Sequence, residues 1–226
     1  MIRCATALAC AALLGAPLQA EPGPGGMPLE AAGPQGPLSG TILRGSAAQG
    51  PVALIIPASG PTDRDGNNPL GVRAASYRLL AEGLAAEGIT TVRIDKRGMF
   101  GSASAVPDPN AVTMADYVAD TNAWVTSIRS ETGARCVWLI GHSEGGLVAL
   151  AAAREVEHLC GVVLVAAAGR PLGDVIKSQL RANPANAPLL EAADAAIDAL
   201  AAGRRVDVTT LPPPLAPLFN PAVQDY

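Results

Sequence analysis

The chain has 226 residues, of which 49% are hydrophobic, so it contains enough apolar material for one globular core. Its formal net charge is −4, with 16 Lys and Arg against 20 Asp and Glu, and no stretch is strongly basic. This balance argues against a nucleic-acid-binding function, because contact with phosphates requires a cationic surface.

The first twenty residues have the pattern of a secretory signal peptide, which we assign to residues 1–20. Arg3 supplies the basic start, an apolar run covers residues 4–16, and Ala20 precedes the expected cleavage point. The apolar run is too short to span a bilayer comfortably, so we predict an exported protein, periplasmic or secreted, without a membrane span. Residues 21–40 are rich in Pro and Gly and predict a flexible leader.

From residue 41 onward, strand patterns alternate with helical patterns. Residues 41–44 predict a short edge strand. Longer apolar runs, typical of strands buried on both faces, occupy residues 51–57, 89–95, 136–140 and 161–167, and helical patterns occupy residues 74–87, 114–130 and 147–157. The alternation predicts an α/β fold with a doubly wound, mostly parallel sheet over residues 41–169. Residues 170–226 contain two further helical patterns, at 171–182 and 186–202, and predict a cap-like helical region.

One glycine-rich turn connects the strand at residues 136–140 with the helix that follows it. The turn matches the pattern G-x-S-x-G and has the sequence Gly141-His142-Ser143-Glu144-Gly145-Gly146. In a nucleophile elbow, such a sharp turn raises the serine hydroxyl above the sheet and lays its backbone at a helix N-terminus. Glycines are needed because the tight turn leaves no room for side chains beside the serine. We therefore predict that Ser143 is a catalytic nucleophile.

Four stretches together give the chain a resemblance to the α/β-hydrolase superfamily, in its serine aminopeptidase-like and esterase-like branch. They are SGPTDRDGN at residues 59–67, DKRG at 95–98, GHSEGG at 141–146 and GRP at 169–171. The resemblance covers residues 41–226, which look like the first half or more of such a protein. It implies a Ser-His-Asp hydrolase of esters with small acyl groups, or alternatively a serine aminopeptidase that acts on short peptides. No cofactor is implied.

The tetrahedral oxyanion of acyl transfer requires backbone N–H donors. The N–H of Glu144, directly after the nucleophile, is the first candidate. A second donor is expected from the loop that follows the strand at residues 51–57. Because Pro61 in that loop has no N–H, the donor must be Gly60 or Thr62, and we favour Gly60.

The charged residues near the expected site have structural interpretations. The Glu144 carboxylate would be favoured by the helix dipole in the first turn. Residues 63–65, Asp-Arg-Asp, are expected to form a salt-bridge and turn network that shapes their loop. Asp95 and Arg97 are expected to tie the end of their strand to that loop.

The chain contains only two histidines, and neither is expected to serve as the base of a triad. The side chain of His142 should point away from the hydroxyl of Ser143. His158 precedes its strand, so it should lie on the order of 15–20 Å away, at the opposite end of the sheet. In this superfamily the acid and the histidine follow the nucleophile on later strands. We therefore expect a truncated chain that lacks the C-terminal strands and leaves residues 161–167 as an apolar edge; a non-catalytic binding module is the alternative.

Cys136 and Cys160 each come at the start of a predicted strand, and we expect these two parallel strands to be neighbours. In an exported protein the pair can form a disulfide, and two buried free thiols are the alternative. No Cys-x-x-Cys or paired-histidine spacing indicates a metal site. No oligomeric state is indicated by the sequence.

Overall fold

The structure is a computed structural model that describes residues 25–219. Its strands, in chain order, are β1 (Met27–Ala31), β2 (Leu38–Leu43), β3 (Val52–Ile56), β4 (Asn67–Asn68), β5 (Val72–Arg73), β6 (Thr90–Ile94), β7 (Val137–His142) and β8 (Leu159–Val165). Six of them form one sheet in the order β1-β2-β6-β3-β7-β8, and β4 and β5 form a separate hairpin. The pairs β6–β3, β3–β7 and β7–β8 are parallel, whereas β1–β2 and β2–β6 are antiparallel. The predicted α/β fold with a mostly parallel sheet is confirmed.

The α-helices are α1 (Ser76–Ala86), α2 (Met114–Thr132), α3 (Glu144–Ala152), α4 (Leu172–Ala182) and α5 (Leu190–Ala201), and short 3-10 helices occur in the connections. The longest, α2, begins with a reciprocal capping box between Thr113 and Asp116, which satisfies two N–H groups at its start. It ends at Gly133, whose φ of 70° lies in the left-handed region that glycine adopts readily. Within the described residues, no helix is both long and apolar enough to cross a membrane.

The core has two parts, because the side chains of a strand alternate between the two faces of the sheet. On one face, Ile55 of β3 packs with Ala81 of α1. On the other face, Leu54 packs in a larger cluster that includes Trp124 of α2 and Val148 of α3. Helices therefore cover both faces, as the doubly wound prediction requires.

The prediction of a flexible leader over residues 21–40 is wrong for the part that the structure describes. β1 and β2 form an antiparallel hairpin in which Met27 pairs with Ile42 and Ala31 pairs with Leu38. In β2, the residues with even numbers are buried and those with odd numbers are half-buried, which is the pattern of a strand packed on one face. The short edge strand predicted at residues 41–44 belongs to β2, which is an interior strand between β1 and β6.

At the other side of the sheet, β8 is the last strand of the described chain. No strand of residues 25–219 pairs with its outer side, and Val163, Leu164 and Val165 expose 43%, 47% and 41% of their surface. The structure thus agrees with the prediction of an apolar edge at residues 161–167. Beyond β8, α4 and α5 surround a separate small cluster that includes the buried side chains of Ile197, Leu215 and Phe219.

Candidate active site

Ser143 occupies a strained turn between β7 and α3. Its φ of 53° and ψ of −115° are unusual for a residue with a side chain, and such a conformation costs about 1–3 kcal/mol unless its surroundings enforce it. Two hydrogen bonds hold the turn: the Ser143 N–H donates to the carbonyl of Val165 at 2.9 Å, and the Gly146 N–H donates to the carbonyl of Ser143 at 3.0 Å. The predicted elbow geometry is therefore present at the carboxyl end of the parallel strands.

The two glycines that flank the elbow are required for steric reasons. A Cβ atom on Gly145 would collide with the carbonyl oxygen of Ile56, at the end of β3. A Cβ atom on Gly141 would collide with the carbonyl oxygen of Gly145 itself. The obstacles are backbone atoms, which cannot rotate away as a side chain can. The elbow is thus packed directly against the start of the loop that follows β3.

Backbone N–H donors are available on both sides of the elbow. Within the described residues no acceptor is bonded to the N–H of Glu144, the first residue of α3, which is one of the unsatisfied donors of a helix N-terminus. In the loop after β3, the Thr62 N–H donates to the carbonyl of Gly60 at 2.9 Å, so Thr62 is not available as the second donor. The N–H groups of Gly60 and Ser59 have no bonded acceptor in the described part of the chain. Ser59 is a candidate that the sequence reasoning missed.

A buried ion pair lies beside the elbow. Lys96 lies two residues beyond the end of β6, and its Nζ donates to a carboxylate oxygen of Glu144 at 2.9 Å. The side chains of Lys96 and Glu144 are 4% and 16% exposed. The same Nζ lies 5.5 Å from the centre of the Tyr117 ring, within the range of a cation–π contact. The carboxylate that was expected to interact with the helix dipole therefore also joins α3 to the end of β6.

The loop after β3 is tied to the sheet by charged side chains. Arg64 donates from Nε to Asp95 at 3.0 Å, and the buried Arg93 of β6 pairs with Asp65. The Asp63 carboxylate accepts hydrogen bonds from backbone N–H groups within the loop, as a turn-forming aspartate does. The predicted network exists, but its ion pairs connect the loop with β6 and its end rather than closing within the loop.

Arg97 has a different role from the one predicted. It does not reach the loop after β3; instead, its Nε donates to Asp120 at 2.8 Å and its Nη1 donates to Asp116 at 2.7 Å, both on α2. The side chains of Arg97 and Asp120 are 7% and 9% exposed. Sequence reasoning could not find this pair, because its members are brought together only by the packing of α2 on the sheet.

Neither histidine is placed to accept a proton from Ser143. The Nδ1 of His142 lies 2.7 Å from the hydroxyl of Tyr77 on α1, and the two rings meet edge to face. His158 comes directly before β8, where its carbonyl accepts from the Val137 N–H at the first residue of β7. This is the end of β7 opposite to Ser143, as the sequence predicted. No base for Ser143 is thus identified among residues 25–219.

Tyr77 contacts both sides of the site. Its hydroxyl accepts a hydrogen bond from the N–H of Ala58, in the loop after β3, at 3.0 Å. Burial raises the pKa of the Tyr77 phenol above its ordinary value, so the hydroxyl keeps its proton at neutral pH. The sequence showed Tyr77 only as an apolar position of an amphipathic helix, and no local signal points to its hydroxyl.

The structure joins Cys136 and Cys160 by a disulfide, with the two Cα atoms 5.1 Å apart. Cys136 directly precedes β7 and Cys160 is the second residue of β8, so the bond connects the strands that hold the elbow. Among the described residues, no group of three or more His, Cys, Asp or Glu side chains is arranged to hold a metal ion.

A mostly parallel sheet, helices on both faces and a serine elbow at the carboxyl ends of its strands define an α/β hydrolase. A family profile described as serine aminopeptidase, S33, matches residues 70–209. The chain belongs to this family, and the resemblance that the sequence motifs indicated is confirmed.

One curated protein is similar to the chain in sequence, and solved structures are similar to it in fold. Over 145 residues the chain is 29% identical to esterase EstD of Thermotoga maritima, an alignment that covers 62% of this chain and 32% of EstD. An esterase from Pyrococcus furiosus is 19% identical with a TM-score of 0.51, covering 70% of this chain and 57% of the other. The α/β hydrolase GrgF of a Penicillium species is 22% identical with a TM-score of 0.51, covering 78% and 55%. The two structures are similar to this chain in fold, and the chain spans about a third of the length of EstD.

Proposed function

We propose that the protein is a serine hydrolase that cleaves carboxylic esters with small acyl groups, with Ser143 as its nucleophile. The observation that carries this proposal is the strained backbone of Ser143, held between the carbonyl of Val165 and the start of α3. Strain of this kind is concentrated at functional sites, where it is part of the mechanism. The similarity to an esterase supports an ester as the substrate.

In the proposed reaction, Oγ of Ser143 attacks the ester carbonyl while a general base removes its proton. The carbonyl oxygen becomes an oxyanion that accepts hydrogen bonds from the N–H of Glu144 and from Gly60 or Ser59. Collapse of this intermediate releases the alcohol and leaves an acyl group on Ser143, which water then removes. The start of α3 favours the negative charge of the intermediate.

We also propose that the acid and the base of the triad are contributed by residues beyond Tyr226. The support is the position of the two histidines of the chain: His142 is engaged by Tyr77, and His158 lies at the opposite end of the strands. A non-catalytic binding module is a second candidate, which the same observation favours. The downstream reading frame discriminates between them, because an in-frame Asp and His support the enzyme and a stop codon supports the module.

An aminopeptidase is the candidate favoured by the description of the matching family. It would need a carboxylate in the cap-like region 170–226 to bind the amino group of the substrate. Two acidic side chains of α5 are already paired within the cap, Asp194 with Arg181 and Asp198 with Lys177. These pairs reduce the negative charge that the cap-like region can offer to an amine, so they favour an esterase over an aminopeptidase.

Export to an oxidising compartment is a further part of the proposal. The candidate signal peptide, residues 1–20, lies outside the described residues. The disulfide between Cys136 and Cys160 supports export, because such bonds persist mainly outside the cytosol.

Hydrolysis of p-nitrophenyl acetate and of an amino-acid p-nitroanilide tests the proposal. The 226-residue chain is expected to give neither a burst nor turnover, because no base for Ser143 is identified among residues 25–219. The product of the continued reading frame is expected to hydrolyse the ester faster than the anilide, and Ser143→Ala should abolish this activity. Turnover by the continued chain that survives Ser143→Ala would refute the nucleophile. Turnover by the 226-residue chain that disappears in Ser143→Ala would refute the missing base.

A further inference from the structure

The loop that carries the second oxyanion donor has little packing around its tip. Ser59 and Gly60 are exposed, and no atom lies within 4 Å of the position that a Cβ on Gly60 would occupy. The φ of 68° at Gly60 is a conformation that glycine reaches without strain. Side-chain packing therefore does not fix the direction of these N–H groups. Hydrogen bonds hold the tip instead: Thr62 donates to the carbonyls of Ser59 and Gly60, and a further bond holds the base of the loop.

One such hydrogen bond comes from α1. The side chain of Tyr77 is buried, with 5% of the residue exposed, and its hydroxyl accepts from the Ala58 N–H at 3.0 Å. Ala58 is the residue directly before Ser59 and two before Gly60. The same hydroxyl lies 2.7 Å from Nδ1 of His142, the residue directly before Ser143. A single oxygen atom thus contacts the backbone of the loop after β3 and the side chain of His142 in the elbow.

The direction of these hydrogen bonds follows from the donor inventory. The Ala58 N–H can only donate, so the Tyr77 oxygen accepts from it. The hydroxyl lies 2.7 Å from Nδ1 of His142, and we assign the phenol as the donor in this contact. In this assignment Nδ1 is unprotonated and the proton of the neutral imidazole is on Nε2. This assignment also occupies the lone pair that His142 would need at Nδ1 to act as a base.

We propose that Tyr77 is a positioning residue of the oxyanion hole, whose hydroxyl joins the Ala58 loop to the His142–Ser143 elbow. The inference rests on the proposed function of Ser143. Tyr77 does not touch the substrate; it fixes the loop relative to the nucleophile. Without the hydroxyl, the Ala58 N–H loses its acceptor and Nδ1 of His142 loses its donor.

Two measurements on the 226-residue protein test the inference without requiring turnover. In the wild type, nitrogen-15 NMR of the histidines should show Nδ1 of His142 unprotonated and Nε2 protonated, and the Nδ1 resonance should shift in Tyr77→Phe because its hydrogen bond is lost. An Nδ1 resonance that does not change in Tyr77→Phe would overturn the proposal. In Tyr77→Phe, which keeps the ring, the Ala58 amide should exchange with deuterium about tenfold faster, as expected for one lost hydrogen bond. Exchange at Ala58 within twofold of the wild type would also overturn it.

Tyr117→Phe is the matched control. Tyr117 is another buried tyrosine, 8% exposed, and it packs on the opposite face of the sheet. The exchange rate at Ala58 and the His142 tautomer should be unchanged in this variant. Equal effects of the two variants would contradict a specific role of Tyr77, because they would reflect a general loosening of the core.

A third measurement connects the hydroxyl with the reaction. A fluorophosphonate reacts with an activated serine, and added imidazole can stand in for the missing base. Tyr77→Phe should slow this labelling of Ser143 about tenfold with little change in the concentration of half-saturation. A wild-type protein that is not labelled would contradict the proposed nucleophile, while the tautomer and exchange data would still decide the role of Tyr77. A rate unchanged in Tyr77→Phe would overturn the positioning role.

Discussion

An ion pair beside the site and an ion pair in the cap-like region differ in how far their charges are exposed. Beside the site, Arg97 and Asp120 form an ion pair in which both side chains are less than 10% exposed. In the cap, the pair of Arg181 with Asp194 leaves 50% and 28% of the two side chains exposed. The Arg97–Asp120 pair is therefore held in one geometry by its surroundings, whereas the Arg181–Asp194 pair can rearrange in water.

The same contrast applies to apolar packing. The larger core cluster on the α2–α3 side of the sheet contains Trp124, which is fully buried. The cap has only a small cluster around α4 and α5, and Leu172 at the start of α4 is 45% exposed. We conclude that the sheet and the helices packed on it hold Ser143 and its neighbours in place.

The largest effect on the free energy of unfolding is expected from loss of the buried ion pair between Arg97 and Asp120. Arg97→Met leaves the Asp120 carboxylate buried without its partner, so we expect a loss of about 3–5 kcal/mol in the free energy of unfolding. Arg181→Met, the matched change in the cap, should cost less than about 1 kcal/mol. Urea denaturation followed by circular dichroism measures both. Equal losses would break the distinction between the two regions.

Removal of the disulfide should have the next largest effect. The bond closes a segment with a sequence separation of 24, so replacement of Cys136 and Cys160 by Ser should lower stability by about 3 kcal/mol. Alkylation before and after reduction, followed by peptide mass analysis, shows whether the bond is present. Labelling of both peptides without reductant would contradict the structure. Hydrogen exchange in α4 and α5 should change little in the double variant.

A methyl group at the elbow should be less well tolerated than one in the cap. Gly145→Ala meets the carbonyl oxygen of Ile56, and we expect a loss of about 1–3 kcal/mol. Gly173→Ala in α4 meets the Cγ2 atom of Ile197 at 2.8 Å, a side-chain rather than a backbone atom, and alanine favours the helix, which offsets part of the cost. Thermal unfolding should therefore show a smaller loss for Gly173→Ala than for Gly145→Ala. A larger loss there than at Gly145 would reverse the comparison.

The smallest expected effect depends on pH. The N–H of Thr113 is the main cause that lowers the pKa of Asp116 below its ordinary value, so the ionised carboxylate stabilises the start of α2. The carboxylate contributes its full stabilisation at a pH above the ordinary pKa of an aspartate. This stabilisation is lost as the pH falls through the lower pKa that Asp116 has in the folded protein. Asp116→Asn should cost about 1 kcal/mol at pH 7, and this cost should disappear as the pH falls through the lowered pKa of Asp116. A difference in stability between the wild type and Asp116→Asn that grows as the pH falls would contradict this prediction.

The control for this change is Asp207 in the cap, which is exposed and caps a 3-10 helix of only three residues. The interaction with Thr209 lowers the pKa of Asp207 as well. Because so little structure depends on this cap, Asp207→Asn should shift the unfolding temperature less than Asp116→Asn at every pH.

Structural elements could be predicted from the sequence where one local pattern determines them. The apolar runs became β3, β6, β7 and β8, and the G-x-S-x-G pattern around Ser143 became the elbow. The glycine at 145 is required by backbone contacts that any elbow of this kind would make. These features depend on periodicity and local sterics, both of which can be read from neighbouring residues.

The sequence failed where partners are distant along the chain. The β1–β2 hairpin was hidden by a Pro- and Gly-rich composition, although Leu38 and Ile42 lie on its buried face. Arg97 pairs across 23 residues with Asp120, and Tyr77 reaches across 65 residues to His142. Such contacts are set by how α1 and α2 pack on the sheet, which no local pattern encodes.

Phosphonylation of the 226-residue protein, with and without imidazole, tests directly whether the elbow presents Ser143 as a nucleophile. We expect that a fluorophosphonate labels the peptide containing Ser143 only when imidazole supplies a base, and that Ser143→Ala is not labelled. Peptide mass analysis locates the adduct. Rapid labelling of Ser143 without imidazole would mean that a base already lies within reach. No labelling under either condition would mean that the elbow does not present a nucleophile.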